Sequence, residues 1–245
     1  MQSFPLGWNS EILGNVKIVG RPLSAVSLTK GYDKGQVKSQ LTHAVTYARQ
    51  MLTETSSLVD RSLISAIESR AGVGPYGAVV PLSPIVMSAA VEHFKMPNSF
   101  TQADADNWVG LFNYLKQAYL MIGQGIRGAF SIVDIPSEEK LDTNGSVSLS
   151  RARLLDSSDA DGLRIANRGR IHINFHWITT RTPQRVARTI IHEGAHKFVG
   201  ARDHAYKYDK GAYSSLTHEQ AKANADSIAC FAYYTWKNGA YKLDA

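Results

Sequence analysis

Hydrophobic positions in the first half of the chain recur every three to four residues, which is the period of an amphipathic helix. The longest such stretch runs over residues 34–70. Its apolar positions include Val37, Leu41, Val45, Ala48, Leu58, Leu63, Ile64 and Ile67. A helical segment with one apolar face is therefore predicted for this part of the chain.

Two shorter helices are predicted after a connection rich in glycine and proline. Ser83 before Pro84 is typical of a helix start and predicts a helix over 84–94. Thr101 with an acidic residue three positions later predicts the start of another helix, which ends near Gly123.

After Gly128 the pattern changes to short runs with a period of two, which predicts strands. The runs are AFSIVDI, SVSLSRARLL and RIHINFHWI. In the last run one face holds Ile171, Ile173, Phe175 and Trp177, and the other holds His172, Asn174 and His176. The polar face has two interpretations, which are exposure to solvent and the edge of a substrate cleft.

Two helices are predicted at the end of the chain. A Thr-Pro pair starts the first over 183–199, and Gly200 ends it. Thr217 and Gln220 form a capping-box pattern that starts the second over 218–236.

This order of elements predicts an α+β fold that is mostly helical. Residues 1–30 are predicted to be an irregular extension with one short strand near 16–19. Residues 31–245 are predicted to form one domain, with a helical part over 31–127 and the strands and last helices over 128–245. A chain of 245 residues is long enough to bury a substantial core.

The composition is typical of a globular protein, with 44% hydrophobic and 20% charged residues. The net charge is +6, but the basic residues are scattered, so no nucleic-acid site is predicted. No stretch reaches the roughly 18 apolar residues that a membrane span needs, so no span is predicted either. The N-terminus lacks signal-peptide features, and Cys230 is the only cysteine. We therefore expect a cytoplasmic protein or one exported by a dedicated or non-classical route, such as a bacterial effector or toxin. The oligomeric state does not follow from the sequence.

The helix over 183–199 carries an unusual polar stripe. Apolar residues cover more than half of its helical wheel, which predicts a mostly buried helix. The stripe between them holds Arg185, Thr189, His192, Glu193 and His196.

Within the stripe, His192 and His196 lie four residues apart and so project from the same face, one turn apart. Two imidazoles in this arrangement can bind one Zn²⁺ at about 2.0–2.1 Å. Glu193 lies beside His192, where it can face a water on the metal as a general base. This HExxH motif predicts a catalytic zinc site.

A catalytic zinc needs a third protein ligand and one open position. The spacing used by metzincins would put that ligand at Arg202, which cannot bind zinc. Three candidates remain open on spacing alone: Asp203 and His204 just after the helix, and Glu219 on the next predicted helix.

Four motifs occur together between residues 189 and 230. They are His192-Glu193-Gly194-Ala195-His196, Gly200-Ala201-Arg202-Asp203, Tyr206, and Asn224-Ala225-Asp226-Ser227. In this order and density they resemble the aspzincin metallopeptidases, the family of deuterolysin and the lysine-specific metallo-endopeptidases. The resemblance implies a zincin-like fold with a small sheet beside the HExxH helix. It also implies a zinc-dependent endopeptidase that acts on a peptide or protein substrate.

The resemblance also implies a role for each site residue. One zinc ion per chain would be bound by His192, His196 and Asp203. Glu193 would be the general base that takes a proton from the attacking water, and Tyr206 would donate a hydrogen bond to the oxyanion.

The sequence departs from the family pattern at three positions. Ala201 replaces the usual threonine, Lys207 replaces a glycine, and Ala229 replaces the second of two carboxylates that hold a substrate lysine. Asp226 matches the first of those carboxylates. Asp226 and the neighbouring Asn224 therefore have two interpretations: binding of substrate, or support that orients a ligand histidine.

Two alternative functions share the same residues. One is a metal-dependent amidase that acts on cell-wall peptide or on modified side chains. The other is a non-catalytic binding protein that contains zinc. Glu193 argues against the second alternative, because a structural zinc needs no general base.

Overall fold

A computed structural model describes residues 11–20, 33–72, 81–134, 145–147 and 171–237. Its helices are α1 (Lys34–Ala71), α2 (Pro84–Phe94), α3 (Ala105–Arg127), α4 (Phe175–Thr179), α5 (Pro183–Gly194), α6 (Lys210–Ser214), α7 (His218–Lys222) and α8 (Ala225–Trp236). Its strands are β1 (Glu11–Leu13), β2 (Val16–Val19), β3 (Phe130–Asp134), β4 (Gly145–Val147) and β5 (Ile171–Ile173). Helices predominate over a small sheet, which confirms the predicted mostly helical α+β class.

The described residues form two compact units. The first contains the five strands, the start of α1, the end of α3 from Ile122, and α4 and α5. The second contains the remainder of α1, α2, most of α3, and the chain after Gly200 with α6, α7 and α8. None of the helices in the described ranges combines the length and the apolarity that crossing a membrane requires.

The sheet has the strand order β1-β2-β3-β5-β4 and is mixed. β2, β3 and β5 are parallel neighbours, and β1 and β4 pair antiparallel at the two edges. The strand predicted near 16–19 is confirmed as β2. Residues 11–19, part of the predicted irregular extension, instead form a hairpin that belongs to the sheet. The hairpin turn contains Gly14 at φ 59°, a conformation that favours glycine.

The helix predictions over 34–70 and 84–94 are confirmed by α1 and α2. Ser83 occupies the N-cap of α2 as predicted, but its side chain makes no capping hydrogen bond. A short 3-10 turn (Gln102–Asp104) precedes α3, which ends at Arg127, beyond the predicted end. The run AFSIVDI contains β3, while most of SVSLSRARLL lies outside the described residues.

The predicted strand RIHINFHWI is wrong after its first residues, because β5 ends at Ile173 and α4 follows. Asn174 is the N-cap of α4, and its Oδ1 accepts a hydrogen bond from Trp177 N at 3.1 Å. A second hydrogen bond at the start of α4 runs from Phe175 N to Oδ1 of Asp134 at 2.9 Å. The alternation of buried and half-buried residues continues through Phe175, so the pattern imitates a longer strand.

The single helix predicted over 218–236 is also wrong, because the structure has α7 and α8 with a break between them. The predicted capping box is present at the start of α7. At the break, Arg202 N donates to Ala223 O at 2.7 Å, and Ala225 N donates to Arg202 O at 2.9 Å. A distant segment of backbone therefore takes the hydrogen bonds that a continuous helix would make within itself.

Two glycines allow α3 and the HExxH segment to approach closely. A Cβ on Gly125 would lie 2.5 Å from ring atoms of Phe198, and one on Gly194 would lie 3.0 Å from Cγ2 of Ile122. Real Cβ atoms essentially never come within 3.0 Å of an atom elsewhere in the structure, so Gly125 in particular is required for this packing. α5 also packs against β4 and β5.

Candidate metal centre

The HExxH residues lie on α5 and on the helical turn that follows it. Thr182 caps α5 by accepting a hydrogen bond from Arg185 N at 3.4 Å. The helix continues as a π-helical turn (Ala195–Val199), and Gly200 ends it at φ 77°. The predicted helix over 183–199 is confirmed. The π-helical turn contains His196, and such turns occur frequently at functional sites.

The motif is enclosed by protein, as its apolar flanks predict. His192 is 7% exposed and Glu193 is 2% exposed, while His196 is half-buried. Burial removes water from around the imidazole and carboxylate groups, so their electrostatic interactions are stronger than on a surface. Glutamate is almost never fully buried unless it is paired, so the burial of Glu193 is unusual for its residue type.

The two histidines are close enough to share one metal ion. Nε2 of His192 and Nε2 of His196 lie 3.1 Å apart, and the ring centroids are 4.8 Å apart. Two ligands at about 2.0–2.1 Å from a tetrahedral zinc lie roughly 3.3 Å from each other, which this separation matches. The same separation permits an N–H···N hydrogen bond between two neutral imidazoles, so the pair is also compatible with a metal-free state.

Asp203 and the two histidines form a group of three side chains, here called the ligand group, that could hold a metal ion. One ligand atom from each of His192, His196 and Asp203 lies within 4.8 Å of the other two. Asp203 is exposed, so the surrounding protein leaves its carboxylate room to turn towards a metal ion. These three residues could therefore hold a metal ion, and their donor atoms suit several divalent metals.

The other two candidate third ligands do not join this group within the described part of the chain. Glu219 is exposed and pairs with Lys222 Nζ at 3.3 Å. His204 is exposed, and its backbone N–H is bonded to the side chain of Asn224. Of the three candidates that spacing left open, the structure therefore brings only Asp203 to the histidines.

The predicted general base and the predicted hydroxyl donor each contact a member of the ligand group. Oε1 of Glu193 lies 4.0 Å from Nε2 of His192. The Tyr206 hydroxyl donates to Oδ2 of Asp203 at 2.8 Å. The ring of Tyr206 stacks on that of Tyr208, with a centroid separation of 5.1 Å and an angle of 6°.

Asn224 and Asp226 are buried and bind the backbone of the loop that follows α5. Oδ1 of Asn224 accepts from His204 N at 3.0 Å and from Ala205 N at 3.4 Å, and its Nδ2 donates to Ala205 O at 2.9 Å. Oδ2 of Asp226 accepts from Lys207 N at 2.6 Å. Both side chains are thus engaged by the segment that carries the predicted third ligand.

Besides the hydrogen bond of its backbone to Asp226, Lys207 forms a side-chain ion pair that the sequence did not predict. Its ammonium group pairs with the carboxylate of Glu92 and lies 5.3 Å from the ring centroid of Tyr213. Burial lowers the pKa of the Lys207 ammonium, and Cys230 and Asp226 oppose this shift. Cys230 is fully buried. No local pattern connects Glu92 with Lys207, because they are far apart in the chain.

The polar residues of the predicted strand have a different setting. His172 and His176 are half-buried, and neither belongs to the ligand group. His172 lies on β5, whereas His176 lies on α4. The interpretation of these residues as one edge of a substrate cleft stays a prediction.

Comparisons with known proteins add no relative. No protein-family model matches this chain, and neither the curated proteins nor the solved structures contain a match. A functional interpretation therefore rests on the motifs over residues 189–230 and on the geometry of the ligand group.

Proposed function

We propose that this chain is a zinc-dependent endopeptidase of the aspzincin type. The observation that carries the proposal is the group formed by His192, His196 and Asp203, with Glu193 beside His192. Two imidazoles and one carboxylate are a donor set found in catalytic zinc sites, and three protein ligands leave one position open. When bound, zinc would supply a Lewis acid that polarises a carbonyl and lowers the pKa of water to about 7.

Glu193 is the general base in this proposal. Its carboxylate lies 4.0 Å from Nε2 of His192, so it is placed to accept a proton from a water that attacks the substrate. Glu193 takes the proton as the water attacks the substrate carbonyl, and then passes it to the leaving amine. Burial of Glu193 keeps the carboxylate in one position and limits exchange of its proton with solvent.

Tyr206 stabilises the negative charge that develops on the carbonyl oxygen. Its hydroxyl already lies at the ligand group, because it donates to Asp203. During the reaction the hydroxyl turns from Asp203 to the developing oxyanion, where a positioned donor stabilises the transition state. The stacked ring of Tyr208 limits the directions in which Tyr206 can move.

The substrate class is a peptide or protein, without a preference for lysine. Asp226 is 2% exposed and accepts the backbone N–H of Lys207. This setting favours the interpretation of Asp226 as support for the site over its interpretation as a substrate-binding carboxylate.

The test is cleavage of a mixture of unstructured peptides by the zinc-loaded protein, with new termini identified by mass spectrometry. Glu193→Gln is expected to keep its zinc and to lose about 10²–10⁴-fold in rate, because it removes the general base. Glu219→Gln is the matched control, since Glu219 is an exposed carboxylate outside the ligand group. Release of ammonia or of a modifying group without cleavage between residues would assign the metal-dependent amidase instead. Equal activity of the parent and Glu193→Gln would contradict both enzymes and favour a zinc-containing binding protein.

A further inference from the structure

We propose that Asn224 and Asp226 are positioning residues, which hold Asp203 and Tyr206 in the geometry that binds the metal. The inference rests on the proposed function, because it concerns the same site. Both side chains hold the backbone of the loop that carries the third ligand. Neither binds the substrate, and neither orients a ligand histidine.

The side chain of Asn224 is fully buried and uses both of its polar ends. The carbonyl oxygen accepts from the N–H groups of His204 and Ala205, and the amide nitrogen donates to Ala205 O and to Ser227 Oγ. A carboxamide offers this combination of acceptor and donors in one compact group. Alanine lacks both ends, and aspartate lacks the donor that Ala205 O requires.

The carboxylate of Asp226 makes a shorter hydrogen bond to the loop. Oδ2 accepts from Lys207 N at 2.6 Å, and the residue is 2% exposed. A hydrogen bond from a neutral donor to an ionised acceptor is stronger than one between two neutral groups. An asparagine at this position retains an acceptor for the N–H of Lys207 but carries no charge. The Asp226→Asn variant therefore distinguishes the effect of the hydrogen bond from the effect of the charge.

The anchored positions alternate with the functional ones along the loop. Asp203 lies between Arg202, which bridges to the backbone at the break before α8, and His204, which binds Asn224. Tyr206 lies between Ala205, which binds Asn224, and Lys207, which binds Asp226. Each functional residue is therefore flanked by a fixed backbone residue on both sides.

These hydrogen bonds order a loop whose functional side chains are not fixed by burial. Asp203 is exposed and Tyr206 is half-buried, so their own side chains are held by few apolar neighbours. Ordering a loop costs conformational entropy, which would weaken metal binding if the metal alone had to order this segment. Removing partners that orient metal ligands typically costs about 10–100-fold in metal affinity.

The experiment compares Asn224→Ala, Asp226→Ala and Asp226→Asn with the parent protein. Thr235→Val is the matched control, because Thr235 is a buried residue of α8 whose hydroxyl contacts Phe231 O at 2.8 Å and Thr55 Oγ1 at 3.1 Å. Two quantities are measured: the dissociation constant for zinc, and the exchange rates of the backbone amide hydrogens in the zinc-free protein.

We expect Asn224→Ala to raise the dissociation constant for zinc about 10–100-fold. The same substitution should accelerate amide exchange selectively at His204 and Ala205. Asp226→Ala should weaken zinc binding and accelerate exchange at Lys207. Asp226→Asn keeps the acceptor and loses the charge, so it should have a smaller effect on both quantities. Thr235→Val should change neither quantity in the loop.

Unchanged zinc affinity and unchanged loop exchange in Asn224→Ala and Asp226→Ala would overturn the inference. Faster exchange of all amides, without a selective effect at His204, Ala205 and Lys207, would overturn it too, because that result indicates only a general loss of stability. If the parent protein does not bind zinc, the proposed function fails. The exchange rates at His204, Ala205 and Lys207 still decide whether Asn224 and Asp226 position the loop.

Discussion

The hydroxyl of Tyr206 donates a 2.8 Å hydrogen bond to Oδ2 of Asp203, three residues before it in the same loop. A single short segment thus carries both the third candidate ligand and the hydroxyl that we propose as the oxyanion donor. The hydrogen bond orients the carboxylate and holds the hydroxyl beside it. The two roles of Tyr206 can be separated by experiment.

Replacement of Tyr206 by phenylalanine removes the hydroxyl and keeps the ring. We expect kcat to fall about 10²–10³-fold, the typical effect of losing one donor to the oxyanion, while KM changes little. Tyr208→Phe is the control, since it keeps the stacked ring and removes a hydroxyl from an exposed residue. Steady-state kinetics on a peptide substrate measure both. Equal kcat values for the parent and Tyr206→Phe would show that the hydroxyl only supports Asp203.

The close approach between α3 and the HExxH segment predicts a steric effect at Gly125. A methyl group there would meet the ring of Phe198, so Gly125→Ala is expected to lower the free energy of unfolding by about 1–3 kcal/mol. A methyl group on Gly123, in the same helix, would have no other atom within 4 Å, so Gly123→Ala should instead stabilise by up to about 1 kcal/mol. Urea unfolding measures both changes, and a neutral Gly125→Ala would contradict the packing of Phe198.

Helix capping gives another matched pair. Thr217 accepts a hydrogen bond from Gln220 N at 3.2 Å, whereas the side chain of Ser83 makes no capping hydrogen bond. Thr217→Ala should therefore lower the free energy of unfolding by about 1 kcal/mol, and Ser83→Ala should lower it less. Thermal or urea unfolding of the two variants decides the order, and a larger loss for Ser83→Ala would be inconsistent with the structure.

The features predicted correctly from the sequence are encoded within one turn of chain. The spacing of His192 and His196, the start of α7 and the glycine at 200 each depend on neighbours a few residues away. Local chemistry alone was sufficient to predict these features, because helix periodicity and capping are short-range effects.

The errors arise where a distant group replaces a local hydrogen bond. Asp134 binds the backbone at the start of α4, so a run that alternates like a strand becomes a helix after β5. The backbone of Arg202 interrupts the helix predicted over 218–236. The ion pair between Glu92 and Lys207 has no sequence signal for the same reason.

The most direct test of the central claim is the metal content of the purified protein and three variants, measured by elemental analysis after zinc is supplied. We predict roughly one zinc per chain in the parent, in His204→Ala and in Glu219→Ala, and a loss of zinc in Asp203→Ala, since of these three candidates only Asp203 lies with the two histidines. Retention of zinc by Asp203→Ala with its loss in His204→Ala or Glu219→Ala would contradict the ligand assignment. A parent protein without zinc would contradict the proposed metalloenzyme.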